Sequence, residues 1–181
     1  MKKLILLFTL MFWGVLQSQE KFELTREKGL SEFVITQIPG KSASEIYIKV
    51  NEWLQKNYKN PDYVLKGAVV DDYVRFEGVS NEVIAQNPDN KLIFLTLGKL
   101  KYEIEIYVKD GRYKFSVISL QHYVSNFGWG TLDQTGNIYN KKGELKGPYK
   151  QLVNLPPFFN GLNNSLKDYI INGTDSRSEE W

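Results

Sequence analysis

Residues 102–120 read Tyr-Glu-Ile-Glu-Ile-Tyr-Val-Lys-Asp-Gly-Arg-Tyr-Lys-Phe-Ser-Val-Ile-Ser-Leu. Apolar and polar side chains alternate on both sides of Asp110-Gly111. Asp-Gly between alternating runs marks a two-residue hairpin turn, in which both central residues are expected at positive φ. Such a turn fixes the register: Val108 faces Tyr113, Ile106 faces Phe115 and Ile104 faces Val117. These pairs share one apolar face. Lys109/Arg112, Tyr107/Lys114 and Glu105/Ser116 fall on the other, so the pattern predicts an antiparallel sheet with one dry and one wet side.

Working outward, the same period of two continues upstream. Tyr63–Val70 and Tyr73–Val79 read as consecutive strands around Asp71-Asp72, and a further strand is predicted from Lys91 to Leu97. Phe33–Ile38 reads as an earlier strand, stopped by Pro39-Gly40. Ser42-Ala43-Ser44-Glu45 fits a capping box, and Ile46, Tyr47, Val50, Trp53, Leu54 and Tyr58 follow at helical spacing. Asn60-Pro61-Asp62 ends that helix. Downstream, residues 122–157 form a Gly/Asn-rich excursion with a small hairpin around Asn140–Gly143. Pro156-Pro157 opens a last helix that carries Phe158, Phe159, Leu162, Leu166, Tyr169 and Ile170 on one face and stops at Asn172-Gly173. The order of elements predicts an α+β fold: one curved antiparallel sheet of about five or six strands, with two helices packed on its apolar face.

The strand–helix opening (Phe33–Tyr58), the strands around Asp71-Asp72 ending in Val74-Arg75-Phe76-Glu77-Gly78, and the Tyr102–Phe115 hairpin resemble the DUF4468 family. The resemblance covers roughly Leu30 to Gln121 and the closing helix. It implies export from a Bacteroidetes cell and a TBP-like fold. It implies no catalytic residues, because that family has no known function.

The N-terminus predicts a compartment. Lys2-Lys3, the apolar run Leu4–Leu16 and the polar break at Gln17-Ser18-Gln19-Glu20 have the layout of a secretory signal peptide. The apolar run is shorter than the roughly 20 residues a membrane-spanning helix needs. The expectation is therefore a signal over 1–18, a single domain over 19–173 beginning with a loose polar leader (19–32), and a polar tail over 174–181. The chain has 23 Lys+Arg against 21 Asp+Glu. Without Lys2 and Lys3 the two signs balance, which argues against nucleic acid as partner. There is no cysteine, so no disulfide, no thiolate nucleophile and no lipid-attachment site is expected. The predicted product is periplasmic or secreted, neither membrane-spanning nor lipidated.

No stretch names a chemistry. His122 is the single histidine, so a Ser-His-Asp triad would have to use it, and no G-x-S-x-G elbow is present. Asp71-Asp72 could supply paired carboxylates for hydrolysis of a glycan or peptide, but adjacent strand residues face opposite ways and aspartate favours turns. Asp133–Asn137 lacks the acidic spacing of a calcium loop. No cofactor or metal site is predicted. The remaining candidates are aromatic: Tyr123, Phe127, Trp129, Tyr139 and Tyr149, residues of a type that carries contact energy in binding surfaces. Their alternative role is a satellite core at one end of the sheet. Lys109, Arg112 and Lys114 make a small basic patch whose ordinary reading is a solvated face. The function expected is non-catalytic binding of an envelope protein or a small ligand. A carboxylate-dependent hydrolase and a structural part of an envelope assembly are the alternatives.

Overall fold

The computed structural model describes residues 20–84, 99–124 and 127–173. The strand predicted over Lys91–Leu97, the signal segment 1–18 and the tail 174–181 lie outside these residues. The chain order is β1 (Leu24–Thr25), β2 (Gly29–Leu30), β3 (Phe33–Gln37), α1 (Ala43–Asn57), α2 (Pro61–Val64), β4 (Leu65–Val69), β5 (Tyr73–Ser80), β6 (Leu100–Lys109), β7 (Arg112–Val124), β8 (Gly128–Thr131) and α3 (Leu155–Asn172), with two 3-10 segments, Gly136–Ile138 and Gly147–Asn154. Among the described residues, six strands form one antiparallel sheet in the order β3-β7-β6-β5-β4, with β8 paired to the far end of β7. β1 and β2 form a separate two-stranded ribbon.

The central hairpin keeps the register its alternation dictates, with Val108 opposite Tyr113, Ile106 opposite Phe115 and Ile104 opposite Val117. Two details differ from the sequence expectation. Only Gly111 takes a positive φ (73°) in the turn. The Asp110 carboxylate accepts a hydrogen bond from the Ala43 N–H (2.8 Å), which ties the turn to the first residue of α1. Beyond Val117 the ladder slips by one residue, because Ser119 rather than Ile118 pairs with Glu103. This bulge inverts the side-chain alternation for the rest of β7.

Local chemistry explains α1. The Ser42 hydroxyl accepts from the Glu45 N–H and the Glu45 carboxylate accepts from the Ser42 N–H, both halves of a capping box. Ile46, Val50, Trp53 and Leu54 are buried along one stripe. α3 buries Leu155, Phe159, Leu162, Leu166 and Ile170, and its C-cap Gly173 is left-handed at φ 71°. Both helices cover the same face of the sheet. Trp53 packs edge-on to Phe76 and donates its indole N–H to Ser165 on α3, while Tyr102 meets Phe158 and Phe159. Asn163 is the polar knot of this core: its side chain bonds Thr36 of β3 and accepts from the Tyr113 hydroxyl. Burial pushes the Tyr113 phenol well above its ordinary pKa.

Two further expectations are corrected. Tyr63 and Val64 are not in a strand: Pro61 starts a single helical turn, its fixed φ suiting the first helical position, and β4 begins only at Leu65. Nor is 19–32 a loose leader throughout. Phe22 is 1% exposed and Leu30 is buried, and the ribbon is anchored by Gln134, whose side chain accepts from the Leu30 N–H. Among the described residues no helix is long and apolar enough to cross a membrane.

Candidate functional site

Among the described residues, the two helices leave the second face of the sheet open. Along β6 this face carries Lys109, Tyr107, Glu105, Glu103 and Lys101, alternating with the buried Val108, Ile106, Ile104, Tyr102 and Leu100. The face divides into three zones. In the middle, charges are paired across strands: Arg75 Nη2 lies 2.6 Å from Glu105 and Nε 3.9 Å from Glu103, and Lys66 lies 3.8 Å from Glu77. The carboxylate of Glu105, mostly buried beneath this guanidinium, holds the Arg75 pKa above its usual value, chiefly through the hydrogen bond.

At the far end of β7 the bulge decides what is displayed. Without it, Tyr123 would share the inward face of Tyr113 and Phe115. With it, Leu120 and His122 turn inward and Tyr123 turns out. β8 then places Trp129 directly opposite Tyr123, with the rings edge-to-face at 5.5 Å. Tyr123 is 40% and Trp129 39% exposed, and the Lys101 ammonium lies 4.8 Å from the Trp129 ring centre. A cation over an indole face is attracted by the ring quadrupole. Phe127 sits at the β7–β8 turn, 77% exposed.

The five aromatics of residues 122–155 therefore separate. Tyr123, Phe127 and Trp129 are displayed on or beside the open face. Tyr139 and Tyr149 are partly buried and pack against the core with Ile138 and Leu152 nearby in sequence, so they serve as the satellite core. Tyr139 pairs with Leu145 across the small turn, where Asn140 accepts from the Lys142 and Glu144 amides.

The other candidates form no catalytic constellation. Asp71 and Asp72 occupy the β4–β5 turn, Asp71 at φ 60°, and both are exposed. His122 lies half-buried on the core side opposite Leu100 and Gly130. Its Nδ1 is buried without a partner among the described residues, so no carboxylate orients the ring there as a triad would require. Burial lowers its pKa below the ordinary 6.5. Asp133 caps its own turn by accepting from Thr135. Among the described residues, no cluster of three His, Asp or Glu side chains could hold a metal ion.

At the hairpin end the open face is recessed. Ile35, Tyr107, Lys109, Arg112, Tyr113 and Lys114 line a hollow of about 390 Å³. Lys114 Nζ sits between two rings, 4.9 Å from Tyr107 and 5.5 Å from Phe33. Tyr107 in turn stacks at a tilt on Tyr73, 5.3 Å away. The three cations are legible in the sequence as a basic patch; the recess they border is not. The missed signal was Phe33, Ile35 and Tyr107, apolar or aromatic residues at wet-side positions of alternating strands.

An open antiparallel sheet backed by two helices on one face is an α+β, TBP-like arrangement. The family described as a domain of unknown function (DUF4468) with TBP-like fold matches residues 34–123. Those residues are a DUF4468 domain, the family that the hairpin and the strand–helix opening resemble. Two solved structures share the fold. A DUF4468 family protein from Bacteroides ovatus ATCC 8483 superposes with a TM-score of 0.56 at 13% identity, over 80% of this chain and 87% of that one. A TBP-like protein from Parabacteroides distasonis ATCC 8503 gives 0.55 at 17% identity, over 77% and 91%. No curated protein matches the sequence.

Proposed function

We propose that this protein is an exported, non-catalytic binding module that engages a protein partner of the cell envelope through the Tyr123–Trp129 end of its open sheet face. The observation that carries this reading is the outward-turned edge-to-face pair itself. Two large rings and a cation are held on paired strands, where ordering them on contact costs little side-chain entropy. Aromatic anchors of this kind dominate protein interfaces. The signal-like N-terminus supports export, and the balanced charge beyond it favours a protein over a nucleic acid. A TBP-like fold does not by itself carry DNA binding.

Trp129→Ala removes a surface ring whose edge contact is worth about 1 kcal/mol, so Tm should fall by no more than a few degrees. Crosslinking of the purified protein to envelope fractions should lose its specific adduct in Trp129→Ala and keep it in Asp71→Asn/Asp72→Asn. Unchanged adducts in Trp129→Ala, or a collapse of Tm, would overturn the assignment.

A further inference from the structure

The recess at the hairpin end differs from the middle of the open face in one respect. Every cation in the middle zone has a carboxylate partner, as Arg75 and Lys66 do. Lys109, Arg112 and Lys114 converge on a hollow of about 390 Å³ and make no ion pair among the described residues. The acids nearest in the chain are already committed. Asp110 accepts from the Ala43 N–H, and Glu105 takes both Nε and Nη2 of Arg75. Three cations without an ion-pair partner among the described residues therefore border a surface whose floor is apolar and aromatic, with Asp72 and Glu105 felt at its Tyr107 side.

We propose that this recess binds a small ligand carrying an oxyanion, carboxylate or phosphate, on a planar apolar body. The volume lies in the range of small-molecule sites, about 300–1,000 Å³. The Arg112 guanidinium offers a fork of N–H donors that matches two oxygens of a carboxylate or phosphate. Lys114 contributes a point charge whose position is fixed by the rings of Tyr107 and Phe33 on either side. Ile35 and the Tyr107 ring give the ligand body an apolar surface to cover. The Tyr107 phenol, raised above its ordinary pKa by Glu105 and by burial, stays protonated at neutral pH and adds no negative charge to the recess. The site is separate from the Trp129 end: Lys114 and Tyr123 are nine positions apart on β7, roughly 30 Å of strand.

The test is an NMR titration of the purified, ¹⁵N-labelled protein with phenylacetate, phenyl phosphate, the neutral isostere phenylacetamide and inorganic phosphate. Physiological ionic strength screens attraction beyond about 8 Å, so only contact binding is read. Saturable shifts of the Ile35, Lys109, Arg112 and Lys114 amides are expected with at least one ring-bearing anion. The tighter of phenylacetate and phenyl phosphate identifies the headgroup. Phenylacetamide should bind roughly tenfold more weakly or not at all, and Arg112→Gln/Lys114→Gln should weaken the anion by a similar factor. Trp129→Ala should leave it unchanged, which separates this site from the protein interface proposed above. The proposal fails if neither ring-bearing anion saturates, if phenylacetamide binds as well, or if inorganic phosphate alone binds as tightly. Comparing probes on the unsubstituted protein keeps the test decisive even if the double variant misfolds.

Discussion

At the scale of single residues, the sharpest physical tension is at His122. Its ring is half-buried on the core side of β7, and its Nδ1 meets no partner among the described residues. Burial penalises the charged imidazolium, so the folded-state pKa lies below the 6.5 of an unfolded chain. Between those two values the unfolded state binds the extra proton. Stability is then fully present above pH 6.5 and declines as pH falls from 6.5 towards the folded pKa. His122→Asn should flatten that first part of the acid limb in urea melts, leaving the later carboxylate-driven loss. A histidine C–H resonance titrating at or above 6.5 would show that burial does not govern this ring. The sequence singled out His122 as the one imidazole a triad would have to use. It could not show which way the ring faces, because that depends on a bulge at Ile118 that no pattern of alternation announces.

At the scale of elements, legibility follows the range of the interactions. The start and buried stripe of α1 were readable because the start is set by Ser42 and Glu45 three residues apart and the stripe by residues one turn apart, but the helix ends at Asn57, with Tyr58 already extended, before the expected stop at Asn60-Pro61-Asp62. The β6–β7 hairpin was readable in register but not in its bulge. Neither the helical turn at Pro61–Val64 nor the extra strand β8 carried a strong local period. Gly78 is a case where the strand pattern was read and its exception was not. It lies opposite Tyr102 on the inward face, and a Cβ there would overlap the Tyr102 ring. That ring has little room to move, being held by Phe158 at 5.4 Å, Phe159 at 5.7 Å and the Tyr58 hydroxyl at 3.2 Å. Glycine within a strand often marks such a close approach. Gly78→Ala should therefore destabilise the protein by about 2 kcal/mol, the usual range for overpacking. Equilibrium denaturation with an unchanged midpoint would mean that the aromatic cluster yields.

At the scale of the whole molecule, what the sequence hid is how distant segments close on each other. The candidate surface was half legible: five aromatics stood out, yet only the assembled sheet separates the displayed Tyr123 and Trp129 from the packed Tyr139 and Tyr149. The N-terminal ribbon was not legible, because its partners lie more than a hundred positions away in Gln134 and Asn160. Phe22 shows the consequence. Its ring packs against Phe115 of the sheet and Phe159 of α3, each at 5.9 Å. Its backbone N–H donates to Asn160 Oδ1 at 2.7 Å, and its C=O accepts from Asn160 Nδ2 at 3.1 Å. One side chain of α3 thus satisfies both backbone groups of a residue that closes the core from the opposite end of the chain. Phe22→Ala should cost about 3–5 kcal/mol, a large share of the roughly 5–15 kcal/mol that keeps an ordinary domain folded. A chain beginning at Glu23 should lose at least as much, because the Asn160 amide is then left without either partner. Removal of the first eighteen residues, by contrast, leaves Phe22 and its contacts in place. Thermal melts of chains beginning at Gln19 and at Glu23 decide the point: equal midpoints would show that the segment before β1 lies on the domain without stabilising it.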